Sequence, residues 1–353
     1  MEIDGIASQK GLNDSGEAID RHEGNFCIDS FRPADAEGIV KLFQATYGEH
    51  YPIRLFYEPE ELITANRDGR CFTAVARNNA GRVIGASHIY RSAPYAGLYE
   101  NGAAIVLEEY RNAKIITGIM SCLFNEITPR RREVEELWAE TVCNHLFTQK
   151  LALTFPGIDT AIEVALMPAE TYGRERNAFG RVATVNFFRC YVSKPHRIFF
   201  PPAYEAVLQG IYGRLDDHRE LAVASAPLPA SKTTTAELKV FHSAVVARIN
   251  IPMTGDDFGA CISVLEAQAR KEQAIVFQAF LNLSEPWIGA AVDILRKRGY
   301  FFGGAMPRWF DGDGLLMQKL ACPPNFENIA LFLDSSKELL AFIQQDWECA
   351  VRS

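Results

Sequence analysis

The stretch AIVLEEYRNAKIITGIM, residues 104–120, joins a strand-like apolar run to an apolar helical pattern through a short polar corner. The first turn of a helix leaves backbone N–H groups unpaired and carries a partial positive charge, so it attracts anions. Arg111 and Lys114 would add two cations at this corner. The sequence therefore predicts that a phosphate-like group binds where the strand meets the helix.

This corner contains no glycine, although glycine lets a phosphate approach the backbone most closely. Lys114 can supply a point charge instead, whereas Ile116 adds bulk. Three interpretations follow from the residues. The corner is a working cofactor site with altered geometry, a site that has lost its ligand, or an ordinary junction between a strand and a helix.

Composition narrows the class of protein. The 353 residues carry a net charge of −8 and a sequence pI near 5.5, which argues against a nucleic-acid or anionic-membrane partner. No apolar run approaches the roughly 20 residues that span a bilayer, and the first residues do not resemble a secretory signal. The eight cysteines are scattered without a Cys-x-x-Cys pair, so we expect free thiols, a cytoplasmic location and no metal.

Apolar periodicity and turn residues predict alternating strands and helices on one mixed sheet, an α+β fold with helices on both faces. The predicted strands are 25–32, 71–78, 82–93, 99–108, 136–143, 158–167, 181–192, 239–251, 274–283, 301–310 and 314–322. The predicted helices are 34–48, 58–69, 112–128, 145–155, 199–216, 255–273, 286–300 and 325–350.

The order of elements predicts two related units, the second one shorter. Its strands and helices echo the back half of the first unit. The small, polar, proline-containing stretch 226–237 is typical of a linker. The predicted organisation is a flexible arm (1–24), a first domain (25–198), a connecting helix and linker (199–235), a second domain (236–322) and a C-terminal helical tail (323–353).

The strand, corner and helix at 104–120 resemble the GNAT acyltransferase superfamily. Val106, Tyr110 and Arg111 match the family's signature, while Lys114 and Ile116 stand where its glycines are common. The segment 136–168 is similar to the family's following strand, helix and closing strand, with Thr154-Phe155 in place of Gly-Phe. The second half carries a weaker resemblance, which suggests a tandem protein with a degenerate second GNAT-like unit.

The resemblance implies acetyl-CoA as the acyl donor. In that fold the fourth strand splays from the fifth, the pantetheine arm lies along the strand edge, and the pyrophosphate rests at the start of the third helix. An Asn after the fifth strand also contacts the cofactor arm, and an N-cap role explains that Asn equally well. The residues implied to bind the cofactor are Ile105, Val106, Leu107, Arg111, Asn112, Ala113, Lys114, Ile115, Ile116, Asn144 and Gln149.

Three residues are candidates for the base that acetyl transfer to an amine requires. The resemblance implies a water-relayed base at Glu100, although a surface carboxylate at a strand end is an equal alternative. Glu140 on the fifth strand faces either the acceptor or solvent. His145 after that strand has a side chain suited to catalysis near neutral pH, and packing or capping is the alternative. The family's usual tyrosine, the acid for the departing thiolate, has no counterpart in the helix 145–155.

We therefore expect an N-acetyltransferase that moves an acetyl group from acetyl-CoA to a primary amine of a small molecule or peptide by direct attack. A non-catalytic ligand-binding or scaffold protein with a decayed cofactor site is the alternative. A tandem transferase with another acyl donor, resembling the aminoacyl or myristoyl transferases, is a more distant one. The sequence leaves homodimer formation open.

Overall fold

A computed structural model describes residues 26–49, 51, 53–111, 113–153, 157–172, 180–215 and 217–352. The predicted arm over 1–24, Asn112 and the Thr154-Phe155 pair lie outside the described residues. The chain forms two compact units. Unit 1 comprises the described residues up to His88 together with 103–127, and unit 2 comprises 89–102 and the described residues from Thr128 onward.

Unit 1 is built around a small antiparallel sheet and two amphipathic helices. Ile39, Leu42 and Phe43 form the buried apolar face of the first helix. The Arg77 side chain donates from Nε to Asp35 Oδ1 over 2.7 Å inside this unit. Its elements are β1 (Phe26–Ser30), α1 (Ala36–Tyr47), α2 (Pro59–Arg67), β2 (Cys71–Asn78), most of β3 (Val83–Arg91), the end of β4 (Leu98–Val106) and α3 (Ala113–Ser121), which a π-helical segment (Cys122–Ile127) extends.

Unit 2 contains a mixed sheet with the strand order β4-β5-β7-β6-β13-β14-β12-β11-β10 and a separate parallel pair, β8 and β9. Its strands after β4 are β5 (Glu136–Val142), β6 (Ile158–Pro168), β7 (Arg181–Cys190), β8 (His196–Phe200), β9 (Arg219–Val223), β10 (Thr235–Phe241), β11 (Val246–Met253), β12 (Val276–Asn282), β13 (Phe301–Phe310) and β14 (Gly312–Leu320). Its helices are α4 (Phe147–Ala152), α5 (Glu205–Tyr212), α6 (Phe258–Lys271), α7 (Ile288–Arg296) and α8 (Asp334–Arg352).

One pairing pattern occurs twice in this sheet. β4 runs parallel to β5, which pairs antiparallel with β7, and β7 pairs antiparallel with β6. In the same way β11 runs parallel to β12, which pairs antiparallel with β14, and β14 pairs antiparallel with β13. Both predicted domains, 25–198 and 236–322, therefore contribute strands to unit 2, and their boundary stays a prediction.

The two patterns meet where β6 and β13 pair around Gly304 and Ala161. A Cβ built on Gly304 would lie 2.3 Å from both the Ala161 Cα and the Thr160 carbonyl oxygen, and the φ angle of Gly304 is +134°. Only glycine fits this junction, because the neighbouring atoms belong to backbone and a side chain rarely adopts this φ.

Most predicted elements are present, and the α+β class with a mixed sheet is confirmed. Four details of the prediction were wrong. The prediction missed two strands, β8 and β9, and the segment 199–216 that was predicted as one helix begins with the end of β8. The strand predicted over 239–251 is a hairpin of β10 and β11. The helix predicted over 145–155 begins at Phe147 with Leu146 as its N-cap, so Asn144 does not cap it.

The C-terminal helix α8 is part of the core of unit 2 and not a loose tail. Leu339 and Ile343 are buried. The Asp346 carboxylate accepts hydrogen bonds from the Tyr204 hydroxyl and from the backbone N–H of Phe302, both over 2.8 Å. Among the described residues, no helix has the length and apolarity to cross a membrane.

A buried charged group lies near the start of β5. Arg219 pairs with Asp313 over 2.9 Å and with Asp217 over 3.0 Å. Glu136 lies near these charges and is itself buried. Burial raises the pKa of the Glu136 carboxyl to about 8, although the positive charge of Arg219 acts in the opposite direction.

We predict that Gly304→Ala destabilises the protein by roughly 2–5 kcal/mol, because it adds both an unfavourable φ and a clash with the backbone of β6. Gly299→Ala is the matched control, since Gly299 also has a positive φ (+84°) but a Cβ there meets nothing within 4 Å. The control should lose only about 1–2 kcal/mol. Urea unfolding of both variants tests this, and equal losses would contradict the steric account.

We predict that Glu136→Gln stabilises the protein at about pH 9 and has little effect at about pH 5. The folded-state pKa of Glu136 lies above its unfolded value, so the cost of ionising the buried carboxyl grows as pH rises from the ordinary value of 4.5 through about 8. One pKa unit corresponds to about 1.4 kcal/mol, so a rise from 4.5 to about 8 makes the gain at high pH on the order of 5 kcal/mol. The exposed Glu220→Gln variant is the control, and a gain independent of pH would contradict this origin.

Candidate active site

β4 and β5 are paired over only part of their length. The ladder joins Leu98 to Glu136, Tyr99 to Leu137 and Glu100 to Trp138, although β4 continues to Val106 and β5 to Val142. Glu100 therefore occupies the last paired position of β4 within unit 2.

Three glutamates from neighbouring strands of unit 2 converge beside this position. Glu100 lies on β4, Glu140 on β5 and Glu163 on β6. Glu140 is opposite Asn186 of β7, and the Asn186 amide donates to Glu163 Oε1 over 3.0 Å. We call Glu100, Glu140 and Glu163 the carboxyl cluster.

Arg248 of β11 is the cation of this cluster. Its Nη2 lies 3.3 Å from Glu163 Oε2 and 3.6 Å from Glu140 Oε1. Its Nε donates to Gln278 Oε1 over 3.2 Å, and the Gln278 amide donates in turn to Glu163 Oε2. The second half of the chain thus supplies the counter-charge for carboxyl groups of the first half.

Aromatic rings hold the Arg248 guanidinium in place. Its carbon lies 5.2 Å from the Phe280 ring centroid, 5.5 Å from that of Phe241 and 5.6 Å from that of Trp309. Such cation–π contacts favour arginine over a freely hydrated lysine, because the planar guanidinium stacks on rings.

The cluster raises the pKa of two of its members. Burial raises the pKa of Glu100, against the hydrogen bonds from Tyr90 and Ser92 and the charge of Arg248. Burial, together with the negative charges of Glu163 and Glu100, holds the pKa of Glu140 well above its ordinary value. A carboxyl group with a raised pKa is suited to taking a proton near neutral pH.

Tyr90 fixes the orientation of Glu100. The Tyr90 hydroxyl donates to Glu100 Oε1 over 2.5 Å. A Cβ built on Gly102 would lie 2.6 Å from the Tyr90 hydroxyl oxygen and 3.2 Å from Glu100 Oε1. Gly102 therefore leaves the space in which this hydrogen bond forms.

The cluster members differ in their access to solvent. The side chain of Glu163 is fully buried, that of Arg248 is 13% exposed and that of Glu140 is 23% exposed. Glu100 is half-buried. Glu100 and Glu140 therefore keep contact with solvent, whereas Glu163 lies in the interior.

The predicted anion-binding corner lies in unit 1. Arg111 and Lys114 are exposed, and Arg111 Nε donates to the carbonyl oxygen of Val106 over 3.3 Å. The apolar residues implied to flank the cofactor, Ile105, Val106, Leu107 and Ile115, are buried, and Ile116 is half-buried. Ala113 begins α3, and Asn112 lies outside the described residues.

Gln149 of α4 and Asn144 before it are the two residues after β5 that were predicted to contact the cofactor. The Gln149 amide donates to the carbonyl oxygens of Val142 and Ala330 over 3.3 and 2.9 Å, and its Oε1 accepts from the N–H of Phe332 over 3.0 Å. Backbone groups thus hydrogen bond to its polar atoms, and its cofactor role stays a prediction. Asn144 is buried in the turn before α4.

His145 is half-buried in the same turn, outside α4. Its catalytic role and that of Asn144 at the cofactor stay predictions.

Sequence reasoning missed Glu163, Arg248 and Gln278. Each is a polar residue inside a mostly apolar strand sequence, in AIEVA, VARINI and VFQAF. A polar residue at a buried strand position needs a partner, and that requirement was the available signal. Nothing in the sequence indicated that residues so far apart along the chain pair with one another.

One group of described residues has the spacing of metal ligands. Glu136, Cys190 and Asp217 offer atoms within 4.8 Å of one another. The Arg219 guanidinium already lies 3.0 Å from Asp217, and its charge opposes a second cation there. The expectation of no metal stays a prediction.

Comparison with known proteins gives structural neighbours only. No protein-family model and no curated protein matches the sequence. A ribosomal-protein-alanine N-acetyltransferase from Brucella melitensis is similar at 18% identity and a TM-score of 0.37, over 46% of this chain and 99% of that one. An N-acetyltransferase from Staphylococcus aureus Mu50 is similar at 14% identity and a TM-score of 0.37, over 47% of this chain and 99% of that one.

At these sequence identities the similarity concerns the fold alone, and it covers less than half of this chain. The description of the fold therefore comes from the strands of the structure. β4 lies parallel to β5 and is paired with it over three residues, within a mixed sheet in the predicted element order. The described residues therefore form an α+β fold with a mixed sheet, similar to the GNAT acyltransferases over the part of the chain that these neighbours cover.

Proposed function

We propose that this protein is an N-acetyltransferase that moves an acetyl group from acetyl-CoA to a primary amine. The carboxyl cluster carries the proposal, because it places two solvent-accessible glutamates of raised pKa where the pairing of β4 and β5 ends. An amine is protonated near neutral pH and must lose its proton before it attacks. A carboxylate at this position can receive that proton.

The reaction follows from these roles. Glu100 or Glu140 takes the ammonium proton, directly or through water, and the neutral amine attacks the thioester carbonyl. The C–N bond forms, the C–S bond breaks, and coenzyme A leaves as a thiolate that takes up a proton. No tyrosine lies in α4 to supply that proton, so water is its proposed source.

Tyr90 and Arg248 position the two candidate bases. Tyr90 holds Glu100 by its hydrogen bond, and Arg248 limits the charge repulsion between Glu140 and Glu163. Without the guanidinium, adjacent carboxylates would stay protonated and unreactive.

The corner at the start of α3 is the proposed anion site for coenzyme A. Arg111 and Lys114 are exposed there, and a helix start attracts phosphate. The corner without glycine also supports a second candidate function, a non-catalytic ligand-binding protein. The acetyltransferase would bind and consume acetyl-CoA, whereas the non-catalytic protein would not consume it.

We further propose that the C-terminal half is a degenerate GNAT-like unit without a cofactor cleft. The ladder of β11 and β12 runs over six residue pairs, from Val246 opposite Val276 to Ile251 opposite Leu281. The equivalent ladder of β4 and β5 has three pairs. Strands paired along their length leave no strand edge to bind a pantetheine arm. We therefore propose that the C-terminal half supports the first half and does not bind the cofactor itself.

We predict that saturating acetyl-CoA stabilises the protein, by about 2.7 kcal/mol at 100 times its dissociation constant. Arg111→Ala and Lys114→Ala should each weaken binding about 3- to 10-fold, because each removes a cation from the corner. Lys41→Ala, which removes an exposed lysine of α1, is the matched control. Calorimetric titration measures this, and no binding at millimolar concentrations would favour the non-catalytic function.

We predict that Glu100→Gln and Glu140→Gln lower kcat/KM with a reactive primary amine, the true base by about 10²- to 10⁴-fold. In the wild type kcat/KM should rise with pH through the raised pKa of the base, and the variant that lacks the base should lose this rise. Glu220→Gln, an exposed carboxylate of β9, should behave as wild type. The assignment is rejected if both cluster variants keep wild-type activity and pH dependence.

A further inference from the structure

The charges of the carboxyl cluster do not balance. Three carboxyl groups share one guanidinium, and no other cation among the described residues is in ion-pair contact with them. The remaining partners that hydrogen bond to them, Tyr90, Ser92, Asn186 and Gln278, are neutral. With all three glutamates ionised, the cluster carries two uncompensated negative charges.

The imbalance falls on the two accessible glutamates. Glu163 has a complete set of donors, since Asn186 donates to one oxygen and Gln278 to the other, with Arg248 3.3 Å from it. Glu140 shares that same arginine at a longer distance, 3.6 Å. Glu100 has hydrogen bonds from neutral groups and no ion pair of its own among the described residues.

The positions of these two residues set the spacing of a ligand that would neutralise both. Glu100 is level with Trp138 on the adjacent strand, and Glu140 follows Trp138 by two residues on the same face. Neighbouring strands lie about 4.8 Å apart and two residues advance about 6.6 Å along a strand, so the two Cα atoms are roughly 8 Å apart. Two cationic nitrogens joined by a short chain match this arrangement better than a single ammonium group.

We propose that the acceptor is a short aliphatic diamine, bound with one ammonium group at Glu100 and the other at Glu140. This inference rests on the proposed function and names the substrate class of that site. The ammonium that remains charged anchors the substrate, while the other loses its proton and becomes the nucleophile.

Protonation in the unliganded protein is consistent with this substrate. Burial raises the pKa of both glutamates, and the mutual repulsion of Glu140, Glu163 and Glu100 adds to it for Glu140. Arg248 opposes this shift at both residues, and the Tyr90 hydroxyl opposes it at Glu100. A dication therefore displaces protons when it binds, and its affinity should increase as pH rises above the ordinary pKa of a glutamate.

Titration calorimetry with putrescine and n-butylamine tests the proposal, because the two have the same chain length and differ in one ammonium group. Each amine is titrated into the full chain with and without saturating coenzyme A. We expect putrescine to bind at least about tenfold more tightly, a difference of about 1.4 kcal/mol. Either Glu100→Gln or Glu140→Gln should reduce this preference to about twofold, with the fold checked by circular dichroism.

The control variant Glu220→Gln should keep the full preference for putrescine. Equal affinity for the two amines, no binding of either amine in both conditions, or a preference that survives both cluster substitutions would overturn the proposal. Binding is measured without turnover, so the result does not depend on catalysis. Acetylation of monoamines without a diamine preference would reject the diamine as substrate and leave the proposed function intact. Diamine binding without acetylation would reject the proposed function and leave only a site that binds diamines.

Discussion

The candidate site depends on the ion pair between Arg248 and Glu163. Two charges removed from water are stable only when each has a close partner and further hydrogen bonds, and this pair has both through Asn186 and Gln278. Breaking such a pair typically costs about 3–5 kcal/mol, because one charge is then left buried alone. The accessible glutamates owe their arrangement to this pair, since Arg248 also contacts Glu140.

The repeated strand pattern explains how that ion pair arose between distant parts of the sequence. Each half of the sheet contributes a parallel pair followed by two antiparallel strands, and the halves join at the glycine of β13. One half keeps a short ladder between its parallel strands, whereas the other is paired along its length. In the described sheet the ion pair therefore joins one strand pattern to the other, since Glu163 lies on β6 and Arg248 on β11.

The sequence predicted the α+β class and nearly all the strands, because hydrophobic periodicity reports local burial. It failed where the decisive signal is not local. The turn between β10 and β11 reads His-Ser-Ala-Val, without the Gly, Asn or Asp that usually announces a hairpin, and its Val245 has a φ of +52°. Glu100 and Glu140 were identified from the resemblance, but Arg248 and Glu163, separated by 85 positions, were not. Charge pairing across the sheet depends on tertiary contacts that no window of sequence contains.

The contacts of α8 have a practical meaning for anyone who shortens or tags this polypeptide. Its Asp346 receives hydrogen bonds from Tyr204 and Phe302, and the hydroxyl of Ser336 donates to the buried Asp159. Gln149 likewise holds the segment that leads into this helix. Removing α8 would leave the Tyr204 hydroxyl, the Phe302 N–H and the Asp159 carboxylate without these partners. We therefore expect truncation of this helix to destabilise unit 2.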